Sequence, residues 1–160
     1  MAMKARGKIF PFLWYAKDAE EAARFYASIF PDSRVDSVSA MQAESPSGPP
    51  GSVVVVDFTL MGQRFQAMTA GPHDEFNDAI SLMVECDTQE ELDRYWDGLL
   101  AGGGEPLACG WLKDRYGVRW QITPRVLNEL MAGKDKARAK RVGEAMMQMV
   151  KLDIEALEKA

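Results

Sequence analysis

A chain of 160 residues, 47% hydrophobic and 27% charged, has the size and balance of one domain that buries a core without a disulfide framework or a structural metal. A formal net charge of -5 disfavours nucleic acid as a partner, and no apolar run approaches the roughly 20 residues of a membrane span. The N-terminus lacks a signal-peptide core, so a cytoplasmic location is expected, with Cys86 and Cys109 as reduced, buried thiols.

In chain order, Phe10, Phe12 and Trp14 alternate as in a strand with one face on a helix, which sends Leu13 and Tyr15 to the other face. Asp18-Ala19-Glu20-Glu21 has capping-box spacing, and behind it Ala22, Phe25, Tyr26 and Ile29 recur at helical intervals. Three strands are predicted over 33–41, 52–60 and 63–69, the first two joined by the breaker-rich surface loop Glu44-Ser45-Pro46-Ser47-Gly48-Pro49-Pro50-Gly51. Gly71-Pro72-His73-Asp74-Glu75 is a linker. Its histidine is either solvated or, with Asp74 and Glu75, a weak surface metal site.

The pattern then restarts. Ile80, Leu82 and Val84 alternate, Thr88-Gln89-Glu90-Glu91 has capping-box spacing, and Leu92, Tyr95, Trp96, Leu99 and Leu100 fall at helical intervals. The caps are 88 - 18 = 70 residues apart, and at that offset Glu20, Glu21 and Arg24 meet Glu90, Glu91 and Arg94. Gly117-Val118-Arg119-Trp120-Gln121 echoes Gly62-Gln63-Arg64-Phe65-Gln66 at an offset of 55, so the first half holds 70 - 55 = 15 extra residues, which the breaker-rich loop accommodates. Shorter strands are predicted over 105–109, 111–115 and 118–123. After Pro124 the chain turns helical, with Leu127, Leu130 and Met131, a break at Gly133, then Val142, Met146, Met147, Met149 and Val150, and finally Leu152, Ile154 and Leu157. The basic run over 134–141 reads as a solvated helix face. The methionine-bearing tail packs either on its own domain or across a dimer.

The expected fold class is therefore α+β: two strand-helix-strand-strand-strand (βαβββ) modules, about 8–70 and 78–124, and a helical tail over 125–160, within one domain spanning 1–160. This arrangement resembles the vicinal oxygen chelate superfamily, which includes glyoxalase I, extradiol dioxygenases and the fosfomycin and bleomycin resistance proteins. The closer likeness is to its PhnB-like branch, some members of which are labelled ubiquinone-pathway methyltransferases. It rests on Phe76-Asn77-Asp78-Ala79-Ile80-Ser81, Tyr95-Trp96, Cys109-Gly110-Trp111-Leu112-Lys113-Asp114, Trp120-Gln121-Ile122-Thr123-Pro124 and Glu144-Ala145-Met146-Met147-Gln148-Met149. The resemblance implies open, cup-like sheets, generally in a homodimer, and in metal-using members ligands from the first and last strands of each module.

Those positions fall here on Pro11, Ser81, Gln66 and Gln121, a set without imidazole, carboxylate or thiolate, so no metal and no other cofactor is expected. Alternation places Arg64, Gln66, Met68, Arg119, Gln121 and Thr123 in the cups, with Leu13, Tyr15, Ser81, Met83 and Glu85, a lining suited to a small organic ligand. Arg64 and Arg119 either grip a carboxylate or phosphonate or lie at strand ends in water. Glu85 is a candidate general base if burial raises its pKa, and otherwise a rim residue; Cys109 is a candidate nucleophile with no histidine near it in sequence. The expected function is metal-free binding of a small molecule. The alternative is an enzyme of the glyoxalase or dioxygenase type. Methyl transfer is disfavoured because Gly102-Gly103-Gly104 follows a helix, whereas a methyl donor nucleotide usually sits at a strand-to-helix turn.

Overall fold

The computed structural model describes residues 7–160, so the expectation about a leader segment lies partly outside the described residues. The chain divides into two compact units, one ending at Asp74 and the other running from Glu75 to Ala160. Among the described residues, no helix is long and apolar enough to cross a membrane.

The first unit is built from β1 (Phe12–Tyr15), α1 (Ala19–Ile29), β2 (Arg34–Ala40), β3 (Val54–Leu60) and β4 (Gln63–Thr69). Its sheet has the order β1-β4-β3-β2, with β1 parallel to β4 and the other pairs antiparallel. The breaker-rich segment lies between β2 and β3, pinned by a bridge between Ser45 and Gly48. One face of the sheet packs under α1. Val56, Phe58, Phe65 and Ala67 are buried there with Ala19, Ala22, Ala23 and Tyr26, and Phe58 stacks on Phe65 with centroids 5.2 Å apart. Val56, Phe58 and Phe65 each contribute about 1.5–3 kcal/mol by leaving water, and the alanines less.

The second unit repeats the plan with β5 (Leu82–Cys86), α2 (Gln89–Leu100), β6 (Glu105–Pro106), β7 (Trp111–Lys113) and β8 (Arg119–Pro124), in the order β5-β8-β7-β6 with β5 parallel to β8. Leu92, Tyr95, Trp96 and Leu99 bury against the face that carries Leu112, Trp120 and Ile122. The tail forms α3 (Arg125–Ala132), α4 (Lys136–Met147) and α5 (Ile154–Lys159), and it docks on its own unit. Gln89 donates to the Leu152 carbonyl (3.1 Å) and accepts from the Ile154 N–H (2.8 Å), while the Cys109 and Gly110 N–H groups donate to the Met149 and Val150 carbonyls. Val142, Leu152 and Leu157 are fully buried.

Two local expectations are corrected. At α2 the Thr88 side chain accepts from the Glu91 N–H, and the Glu91 carboxylate accepts from the Asp87 N–H, so the capping box largely forms. At α1 the Asp18 side chain makes no cap bond; instead Thr69 Oγ1 in β4 accepts from the Ala19 N–H (3.1 Å). A partner from the neighbouring strand thus satisfies a donor that local sequence assigned to a cap.

The second correction concerns β1. Leu13 and Tyr15 are buried on the helix side, and the Tyr15 and Tyr26 hydroxyls are 3.0 Å apart, whereas Phe12 is 48% exposed. The cause is one residue. Ala16 and Lys17 separate Tyr15 from the cap residue Asp18, but only Asp87 separates Cys86 from Thr88. The strands therefore correspond at 84 - 13 = 71, since Leu13 pairs with Ala67 and Val84 with Ile122, although the helices correspond at 70. A one-residue shift in a strand sends every side chain to the opposite face.

Candidate functional site

The candidate site is the helix-free face of each sheet. In the echoed segments the glycine makes the turn: Gly62 and Gly117 have φ of 83° and 92°, a left-handed conformation that disfavours residues with a Cβ. The next strand residues then alternate. Arg64, Gln66 and Met68 lie on the helix-free face, as do Arg119 and Gln121, while Phe65, Trp120 and Ile122 go to the core. Register adds Phe12 beside Gln66, Trp14 beside Met68, and Met83 beside Gln121. Leu13 and Tyr15 leave the set of lining residues, and Phe12 and Trp14 replace them.

The position that corresponds to Ser81 at the strand offset of 71 is Phe10, where the cap offset of 70 pointed to Pro11. The Pro11 carbonyl accepts from the Gln66 N–H. The four positions at which the resemblance drawn from the sequence led us to expect metal ligands are then Phe10, Gln66, Ser81 and Gln121. A ring, a hydroxyl and two amides do not fit a divalent transition metal, which needs imidazole, carboxylate or thiolate donors. Among the described residues no group of three or more His, Cys, Asp and Glu side chains could hold a metal ion.

Both amides are engaged by neighbours. Gln66 Nε2 lies 3.1 Å from each oxygen of Asp57, and Gln121 Nε2 lies 2.8 Å from Ser81 Oγ. Both arginines are engaged as well. Arg64 Nη2 is 3.1 Å from Asp57 Oδ1, and its guanidinium stands 3.9 Å from the centre of the Phe10 ring. Arg119 Nε is 2.7 Å from Asp78 Oδ1, and its Nη1 donates to the carbonyls of Gly117 (2.6 Å) and Phe76 (3.2 Å). These cations are already answered by carboxylates and carbonyls, so neither stands open for an anionic ligand.

Asp57, Trp111 and Lys113 were missed by sequence reasoning. Asp57 interrupts the run Val53-Val54-Val55-Val56 and sits between the buried Val56 and Phe58, so strand alternation marked it for the face of Gln66. Trp111 and Lys113 flank the buried Leu112 and pair with Gln121 and Arg119. Lys113 Nζ is 2.6 Å from Glu105 Oε2 and, mainly through this hydrogen bond, holds the Glu105 carboxyl below its ordinary range.

Glu85, opposite Thr123 in the β5–β8 register, lies one alternate position along the strand from Met83, the partner of Gln121. The Glu85 side chain is 42% exposed, accepts from Asn128 Nδ2 (3.0 Å) and pairs with Arg125 (3.3 Å), the setting of a rim residue. Arg125 is pushed above its ordinary pKa, chiefly by its hydrogen bond to Asp87. Cys109 has φ 58° and faces the tail, with Sγ 3.7 Å from Met147 Sδ. Cys86 is buried under α2, and burial, with smaller effects of Glu91 and Asp87, pushes its thiol up to about 12. His73 lies against the Trp14 ring with centroids 4.0 Å apart, and its Nδ1 is 3.6 Å from Asp74 Oδ2, so it is half-covered, not fully solvated.

Comparison with known proteins agrees with this architecture. A family model described as 3-demethylubiquinone-9 3-methyltransferase matches residues 7–123. The chain is similar to the structure of a PhnB protein from Bacillus cereus, described with the same methyltransferase name, at 38% identity, with 74% of this chain and 99% of that one covered and a TM-score of 0.64. It is also similar to protein PA1353 from Pseudomonas aeruginosa (20% identity, 74% and 97% covered, TM-score 0.56). A third similar structure is the fosfomycin resistance protein FosX from Mesorhizobium loti (15%, 86% and 100% covered, TM-score 0.53). The last two likenesses concern the fold alone. A search of curated proteins gave no match. The duplicated βαβββ modules, the open sheets and the match over residues 7–123 together show that the chain belongs to the PhnB-like 3-demethylubiquinone-9 3-methyltransferase family.

Proposed function

We propose that the protein binds a small organic molecule on the helix-free faces of its sheets without the metal that other members of the superfamily employ there. The observation that carries this reading is that Gln66 and Gln121 stand where metal ligands were expected, each hydrogen-bonded to a neighbour, Asp57 or Ser81. Around them stand Phe12, Trp14 and Met68 in one unit and Met83 and Trp111 in the other, apolar walls with a few fixed polar groups.

Turnover through Glu85 or Cys109 is not supported by their positions, and methyl transfer lacks a strand-to-helix glycine turn. Gly102 follows α2 and has φ 81°, which gives that glycine a turn role. The molecule is read as a cytoplasmic homodimer, a reading favoured by Ile9 and Ile80, exposed apolar residues just before the edge strands β1 and β5.

A thermal-shift panel of metals, carboxylates, phosphonates, glutathione adducts, cationic antibiotics, a methyl donor and uncharged aromatic amides tests the function. An organic compound is expected to raise the melting temperature in the presence of a chelator, because binding to the native state stabilises it. A rise with a divalent metal alone, and with no organic compound, would refute the reading.

A further inference from the structure

In the first unit a carboxylate dictates which way an amide points. Gln66 Nε2 is 3.1 Å from both Asp57 Oδ1 and Oδ2. A carboxylate paired with a guanidinium only accepts hydrogen bonds, so the NH2 group of Gln66 faces Asp57 and its Oε1 faces away. In the second unit the partner of Gln121 is the Ser81 hydroxyl, which donates or accepts and leaves that amide's orientation undetermined.

The surroundings of Gln66 define what such an acceptor meets. Arg64 and Asp57 neutralise one another, and Arg64 also covers the Phe10 ring. Trp14 is covered by His73 and donates through Nε1 to the Gly71 carbonyl at 2.9 Å. Phe12, paired with Gln66 in the parallel register, is 48% exposed. An anion on this patch would meet an outward carbonyl oxygen and a guanidinium already engaged. A flat uncharged molecule with a donor would meet a ring and an acceptor side by side.

Resting on the small-molecule reading above, we propose that this face of the first unit takes an uncharged planar molecule carrying an N–H or O–H donor. Phe12 is its stacking platform, Gln66 Oε1 its acceptor, and Asp57 the positioning residue that fixes the amide. The hydrogen bond between donor and Oε1 sets the preference, since a ligand lacking that donor leaves a polar group without its partner.

NMR titration of the full chain with benzamide, and with benzoate as its similarly shaped anion, tests the proposal. Benzamide is expected to shift the Phe12 signals and the Gln66 side-chain amide saturably, with benzoate at least about 10-fold weaker. In Asp57→Asn the amide of Gln66 is free to turn, and the preference for benzamide should fall to about twofold or less while binding persists. Gln66→Met should remove the same preference without disturbing the Asp57–Arg64 pair, and Phe12→Ala should weaken both probes alike. Benzoate binding as tightly as benzamide overturns the proposal and leaves the small-molecule reading standing. Failure of both probes to move this face also overturns it, whereas the broader reading falls only if no organic compound raises the melting temperature. Signals of Phe12 and Gln66 that follow protein concentration instead of probe concentration would assign the face to a second copy of the chain and overturn the proposal as well.

Discussion

Gly110 and Gly62 have nearly the same backbone conformation, φ 81° and 83°, but different surroundings. A Cβ on Gly62 would meet nothing within 4 Å, while one on Gly110 would come within 2.8 Å of Leu152 Cδ1 and 3.1 Å of the Ile122 carbonyl. Gly62→Ala should therefore cost only the left-handed strain, about 1–2 kcal/mol in a urea titration. Gly110→Ala adds a clash with the docked tail and should cost about 2–4 kcal/mol, with loss of hydrogen-exchange protection at the Cys109 and Gly110 amides. Equal losses in the two variants would contradict the role given to Gly110 as the receiver of the tail. The sequence singled out the Cys109-Gly110 pair as part of a family-like motif, but its contact with Leu152 spans more than 40 residues and carries no local signal. Asp57 differs in that respect. One acid after four valines was a readable mark of a polar face, and only its bonds to Arg64 and Gln66 needed the structure.

At the level of elements, the helices, the last strands and the breaker-rich loop were legible because they rest on local patterns: caps, apolar intervals and the glycine-arginine-aromatic-glutamine echo. β4 spans Gln63–Thr69 as expected, whereas β6 is cut to Glu105–Pro106. The face of β1 was not legible. Four strand residues rich in aromatics alternate plausibly in either phase, and the extra residue in the β1–α1 turn decides between them. The corrected phase gives a sharp contrast between neighbours. Leu13→Ala should lower stability by about 2–5 kcal/mol, as for a buried leucine, and Phe12→Ala by no more than about 0.5 kcal/mol. Chemical denaturation of both variants checks this, and the opposite order would restore the phase in which Phe12 faces the helix.

For the whole molecule, duplication supplies two versions of one βαβββ plan, and each places a glutamine, Gln66 or Gln121, at the matching position of its last strand. The family was legible from motifs over most of the chain, and the model match over residues 7–123 bears it out. The ligand was not legible, because it depends on side-chain orientation at Gln66, Gln121 and their partners, which no spacing encodes. The central claim is that this donor set binds an organic molecule and not a transition metal. Elemental analysis of the purified, dialysed protein tests it most directly. The account predicts zinc, nickel, iron and manganese each far below one per chain, because two neutral amides, a hydroxyl and a phenyl ring do not hold such ions; about one equivalent of any of them per chain, lost in Gln66→Ala or Gln121→Ala, would contradict it.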